Sequence, residues 1–168
     1  MPSYFLNFVD LKIVSVYSRE EVKQLKQLFW TKFGQFMSLH SSADGDKVNW
    51  VNYKTGIKHL YFKMDADKKS AKIAIIWSHT DAGIRALMAE QFLQYKGLLH
   101  DILGEEWEWD MDGYDEYGKP ICQIYKTLVG HSIFKEAEWG ELIAFFKPRM
   151  IALDEFWSSA KYAFDIFK

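Results

Sequence analysis

One cysteine in 168 residues leaves no disulfide framework and no thiolate metal cage, since each needs several. Cys122 lies within the apolar run Ile121 to Ile124 and reads as a small buried hydrophobe rather than a nucleophile. No run reaches the ~20 apolar residues of a membrane-spanning helix. The apolar stretch Tyr4 to Val16 is interrupted by Asn7, Asp10 and Lys12, and it lacks the basic leader and small-residue cleavage site of a signal peptide. The expectation is a cytoplasmic protein with no membrane partner. Neither charge sign dominates: 21 Lys and Arg stand against 23 Asp and Glu. That balance argues against a protein that coats nucleic acid with its whole surface, but leaves a local basic face open. There is no glycine-rich phosphate loop and no G-x-S-x-G elbow. Asp110-Met111-Asp112-Gly113 begins like a calcium loop, yet the further oxygens and the closing Glu are missing. No catalytic residue, cofactor or metal site is read from the chain.

What the chain has in plenty is aromatic residues, 17% of the total, which favours a core built on Phe, Tyr and Trp. Ser18-Arg19-Glu20-Glu21 is a capping box. It opens a helix with Val22, Leu25, Phe29, Phe33 and Phe36 on one face. Ser41 to Asp46 is a turn-rich stop. Trp50 to Tyr53 reads as a strand, Lys54-Thr55-Gly56 as a turn, and Ile57 to Ala66 as a second strand. In that second strand Leu60, Phe62 and Met64 point one way, and His59, Tyr61, Lys63 and Asp65 the other. Asp67 to Ser70 turns the chain into a third strand, Ala71 to Ser78, with Ile73, Ile75 and Trp77 inward.

Thr80 or Asp81 caps a second helix that Gly104 ends. Its stripe is Ile84, Met88, Phe92, Tyr95, Leu99 and Ile102. Glu106 to Asp112 alternates, with Trp107, Trp109 and Met111 on one side and four acids on the other. A hairpin turn then leads into Pro120 to Thr127. A third helix, Glu136 to Phe146, is expected to break near Pro148. The last helix places Met150, Leu153, Trp157, Ala160, Phe164 and Phe167 in a narrow stripe that must bury itself against the sheet, another helix or a second protomer. The order α-β-β-β-α-β-β-α-α, without linker or repeat, defines a single α+β domain over residues 17–168, with helices on an antiparallel or mixed sheet.

Several segments resemble a bacterial family known only as domain of unknown function 4268. They are Phe29-Trp30, Trp50 to Gly56, Leu60 to Asp67, Leu103 to Trp109 and Phe145 to Leu153. The resemblance extends from about residue 17 to the C-terminus. It implies an uncharacterised domain that also occurs at the end of restriction- or defence-like proteins, and so an accessory role near nucleic acid. It carries no catalytic residues. Chains of this kind begin close to Tyr17-Ser18, so residues 1–16 are expected to be a loosely packed extension of start-site origin.

The helix–three strands–helix–strand order also matches the core of the PD-(D/E)xK nucleases. Their chemistry needs a strand acid and an acid-x-Lys on the next strand to hold a divalent cation and support the attacking water. Here the third strand, Lys72 to Trp77, has no carboxylate. Lys54, Lys58, Lys63, Lys68, Lys69 and Lys72 cluster with Tyr53, His59 and Tyr61 interleaved, a composition suited to phosphates and stacked bases. The alternative is an ordinary solvated sheet face, partly neutralised by Asp65 and Asp67. The acids from Glu105 to Glu116 read as a solvated edge that discourages strand pairing, or as a docking surface for a basic partner.

The leading reading is a non-catalytic binding module for nucleic acid or a nucleic-acid-handling protein, through Lys54, Lys58, His59, Tyr61 and Lys63. One alternative is a protein-interaction domain or homo-oligomer using the C-terminal helix and the acidic hairpin. Another is a degenerate or cryptic metal-dependent nuclease-like hydrolase, with Asp65 and Asp67 as the nearest thing to ligands.

Overall fold

Ser18 opens the first helix with both halves of its capping box. Its hydroxyl accepts the Glu21 amide at 3.2 Å, and its own amide donates to the Glu21 carboxylate at 3.3 Å. A computed structural model describes residues 18–168; the extension expected over residues 1–16 lies outside the described residues. Helix α1 spans Arg19–Met37. Phe29, Phe33 and Met37, at steps of four, are fully buried, whereas Phe36 is 41% exposed. The buried stripe is thus turned by one residue from the expected one.

Trp50 to Tyr53, expected as a strand, instead forms turns, because its polar groups are claimed by side chains rather than by a strand ladder. Asn49 accepts the Asn52 amide at 3.0 Å, the Trp50 indole donates to the His40 carbonyl at 3.1 Å, and the Tyr53 hydroxyl donates to Asp154 at 2.7 Å. The turn expected at Lys54-Thr55-Gly56 falls later, over Gly56 to His59, and the strand expected from Ile57 starts at Leu60. Gly56 has φ 81, where a Cβ is disfavoured, and the Thr55 hydroxyl donates to the Leu60 carbonyl at 2.9 Å.

The sheet has four strands, β1 Leu60–Ala66, β2 Ser70–Trp77, β3 Glu108–Tyr114 and β4 Pro120–Val129, all antiparallel in the order β1-β2-β4-β3. The register sets Leu60 opposite Trp77, Phe62 opposite Ile75 and Met64 opposite Ile73, so the inward faces of β1 and β2 coincide as the alternation requires. The alternation of β3 holds only to Asp110. A bulge between Asp110 and Gly113 shifts the register, leaving Trp109 and Met111 half-buried.

Asp81 caps α2 (Ala82–Gln94), accepting the Gly83 and Ile84 amides at 2.7 and 3.2 Å. The single helix expected up to Gly104 is divided at Tyr95, whose amide bonds back three residues to the Phe92 carbonyl; this 3-10-type bond tightens the turn. Helix α3 (Lys96–Leu103) then ends at Gly104 with φ 66. Pro148, expected to break the chain into two helices, lies within one helix, α4 (Trp139–Ala160). The proline has no amide to give the Ala144 carbonyl. In the same turn the Arg149 side chain donates to the Phe145 carbonyl at 2.9 Å, and buried Phe145, Phe146 and Met150 hold both sides of the proline in the core.

The C-terminal stripe is buried within the chain itself: Met150, Leu153, Trp157, Ala160 and Phe164 are all inaccessible or nearly so. A series of close aromatic pairs runs from Trp77 through Phe92, Phe164, Trp157 and Phe62 to Tyr53, with neighbouring centroids 4.5 to 5.7 Å apart. This packing accounts for the aromatic richness of the sequence. Cys122 is buried, and burial pushes its thiol up from the ordinary value. Among the described residues no helix is long and apolar enough to cross a membrane.

Candidate nucleic-acid interface

The main core cluster takes its sheet residues from one face, Leu60 and Phe62 of β1, Ile73, Ile75 and Trp77 of β2, and Cys122 and Ile124 of β4; on the other face Ala74, Ile121 and Gln123 are also buried. The opposite parity forms three cross-strand rows. Lys63, Ala74, Tyr125 and Glu108 make one row; Tyr61, Ile76, Gln123 and Asp110 the next; Asp65, Lys72 and Thr127 the third. Tyr61 and Lys63 are both exposed, and the Lys63 ammonium lies 4.8 Å from the Tyr61 ring centre. Across the sheet the Lys72 ammonium lies 4.5 Å from the Tyr125 ring centre and donates to the Gln123 side chain. Two lysine–tyrosine pairs therefore share this face, each a cation over a ring.

Electrostatics divide the face. Burial pushes the Lys72 ammonium down from its ordinary pKa, opposed by Asp110, Asp65 and Glu108. The Tyr125 hydroxyl donates to Glu108 at 2.6 Å, and that bond raises the phenol above its ordinary value. Lysines thus occupy the β1–β2 half, while the carboxylates of β3 line the far edge.

Lys54, Lys58 and Tyr61 meet around one open groove of about 290 Å³, floored by the Thr55-Gly56-Ile57 segment. That floor is held in place, since the Trp157 indole donates to the Thr55 carbonyl at 2.9 Å. His59 does not join the exposed row. It has φ 65, is half-buried, and sits edge-on to His79 at 5.2 Å between ring centres. The structure thus gathers Lys54, Lys58 and Tyr61, places Lys63 beside Tyr61, and sets His59 apart.

The two acids weighed as metal ligands have other contacts. Asp67 accepts the Lys69 and Ser70 amides at 2.7 and 2.8 Å; these bonds, the Lys69 one foremost, hold its carboxyl below the usual range. Asp65 is exposed and lies 4.0 Å from Lys26. Among the described residues no group of three or more His, Cys, Asp or Glu is placed to hold a metal ion.

Two contributors were not singled out from sequence. Tyr125 was hidden because its face depends on β4 lying beside β2, although the step of two linking Gln123, Tyr125 and Thr127 was a usable signal. Asp154 sits in the apolar stripe of α4, yet its carboxylate accepts the Tyr53 hydroxyl and the Ala43 amide, each at 2.7 Å. It lies beside Lys54 on a second cavity of about 340 Å³. Burial raises the Tyr53 phenol, and the bond to Asp154 raises it further, so Tyr53 acts there as a donor.

These features define a single-domain α+β protein whose antiparallel sheet turns one face from the main core cluster, with lysines on its β1–β2 half and carboxylates along its β3 edge. The family described as a domain of unknown function (DUF4268) matches residues 25–161, and the chain belongs to that family. No curated protein and no solved structure matches it.

Proposed function

We propose that this protein is a non-catalytic cytoplasmic module that binds single-stranded nucleic acid, accessory to nucleic-acid handling of the restriction or defence kind. The strand runs along the outer side of β1 and β2. Lys54 and Lys58 receive phosphates at the groove, Tyr61 supplies a stacking surface and Lys63 steadies the next phosphate. The observation that carries this reading is the pairing of exposed Tyr61 with Lys63 on the sheet face opposite the main core cluster. A single strand fits better than a duplex, because stacking on a tyrosine needs an unpaired base.

Fluorescence anisotropy with short single- and double-stranded DNA and RNA at two salt concentrations tests it. Single strands should bind more tightly, and the logarithm of the affinity should fall with log salt by about 0.7 per phosphate engaged. Tyr61→Ala should cost about 1–3 kcal/mol, the worth of one stacked base. Lys58→Glu with Lys63→Glu should weaken binding and flatten the salt slope. Absence of binding at micromolar protein and low salt would reduce the face to solvated surface. A mass that rises with concentration would then favour self-association or a protein partner.

A further inference from the structure

At the other end of β1 and β2 lies a second basic groove, of about 540 Å³, between the β1–β2 turn and the loop after β4. Lys68 and Lys69 line one wall and Lys135 the other. Among the described residues none of the three forms an ion pair. The groove's one carboxylate, Glu138, is engaged by the Ser132 amide at 2.6 Å. Its floor is tied down by backbone bonds: the Gly130 amide donates to the Lys69 carbonyl at 2.8 Å and the Ile133 amide to the Asp67 carbonyl at 3.0 Å. Gly130 takes φ 88 at the foot of the loop, a conformation other residues rarely adopt.

His131 stands on this floor. Its Nδ1 atom is inaccessible and has no hydrogen-bond partner among the described residues, so the lysines, not the imidazole, are what the groove presents to a ligand. An oxyanion in the groove would bring acceptors to the three ammonium groups, the arrangement that charge-assisted hydrogen bonds favour.

We propose that the groove binds a dianionic phosphate group, free or as a terminal monoester, with Lys68, Lys69 and Lys135 supplying the charge. This inference does not rest on the sheet-face reading, because it uses none of the same residues. The shared chemistry has two sources, free phosphate and the terminal phosphate of an oligonucleotide.

The test is a ¹⁵N-resolved NMR titration of the full chain with inorganic phosphate, then with a short oligonucleotide carrying either a 5′-phosphate or a 5′-hydroxyl. Chloride at matched ionic strength is the control. Phosphate should shift the Gly130, His131 and Ser132 amides saturably. Lys68→Glu with Lys135→Glu should weaken the effect by at least about tenfold. Circular dichroism should confirm that this double variant keeps its fold. Preference for the 5′-phosphorylated strand would identify a terminal phosphate as the source; equal response to both strands would leave free phosphate. Shifts absent at millimolar phosphate, reproduced by chloride, or retained in the double lysine variant would overturn the proposal. Loss of oligonucleotide binding in the Lys58 and Lys63 variants alone would leave it untouched.

Discussion

Asp154 is 5% exposed, the only buried residue of a charged type among the described residues, and its two partners come from a loop more than a hundred positions earlier in the chain. That makes it a pin holding residues 43–53 against α4. Removing the carboxylate strands the half-buried Tyr53 phenol, whereas the amide of exposed Ala43 can turn to water; a buried unpaired group costs about 1–3 kcal/mol. Asp154→Ala is therefore expected to lower stability by about 1–3 kcal/mol. Tyr53→Phe, which leaves the carboxylate with one partner fewer, should cost less. The double variant should lose less than the two single losses combined, because both remove the same bond. Urea unfolding of the four proteins measures this, and strict additivity would show that Asp154 and Tyr53 act separately.

At the scale of elements, the clamp between the approach to β3 and helix α4 does similar work at the surface. Arg149 donates to both Glu105 oxygens, at 2.7 and 3.0 Å, and the Trp107 indole donates to one of them at 2.9 Å. Burial alone would raise the Glu105 carboxyl, but the bonds from Arg149 and Trp107 outweigh it and hold the group below its ordinary 4.5. A carboxylate depressed in the folded state contributes stability that is complete above the unfolded value and is lost as pH falls through the folded one. The melting temperature of the wild type should therefore exceed that of Glu105→Gln at neutral pH, with the gap closing below about pH 4.5. A gap that stays constant down to pH 3 would mean that the clamp works through packing rather than charge. The two ends of this clamp, Leu103 to Trp109 and Phe145 to Leu153, are among the segments that carried the family resemblance, although nothing in either one alone reveals the other. Local signals were legible where the chemistry is local: Ser18, Asp81 and Gly104 cap their helices as read, and period-two alternation fixed the inward faces of β1 and β2. The turns at Trp50 to Tyr53 depend on His40 and Asp154. The continuity of α4 through Pro148 depends on core packing to either side. Such long-range partners leave no trace in a local pattern. For the interface the same division holds. Exposed Tyr61 beside Lys63 follows from alternation, whereas Tyr125 joins them only through the β2–β4 pairing, and His59 leaves them because its backbone turns left-handed.

Across the whole molecule, the near-neutral charge of the sequence conceals a separation. Lysines hold the β1–β2 side of the open face, and acids hold the β3 edge, three strand spacings or about 14 Å away. That distance exceeds the Debye length of ~10 Å at 0.1 M salt but falls well inside the ~30 Å at 0.01 M. If nucleic acid lies along β1 and β2, the acidic edge repels it only in dilute salt, and it confines the strand to the lysine side. Glu106 and Asp112 are both exposed on or beside β3, and among the described residues neither carboxylate forms an ion pair. Replacing both, Glu106→Lys with Asp112→Lys, should tighten single-strand binding several-fold at about 0.01 M salt, with the difference mostly gone by about 0.15 M. Anisotropy titrations at the two concentrations measure it. Equal affinity for wild type and variant in dilute salt would place the bound strand beyond reach of this edge, away from the sheet face. A gain that persists at 0.15 M would mean that the new lysines touch phosphate directly, and that the footprint extends across β4 to β3.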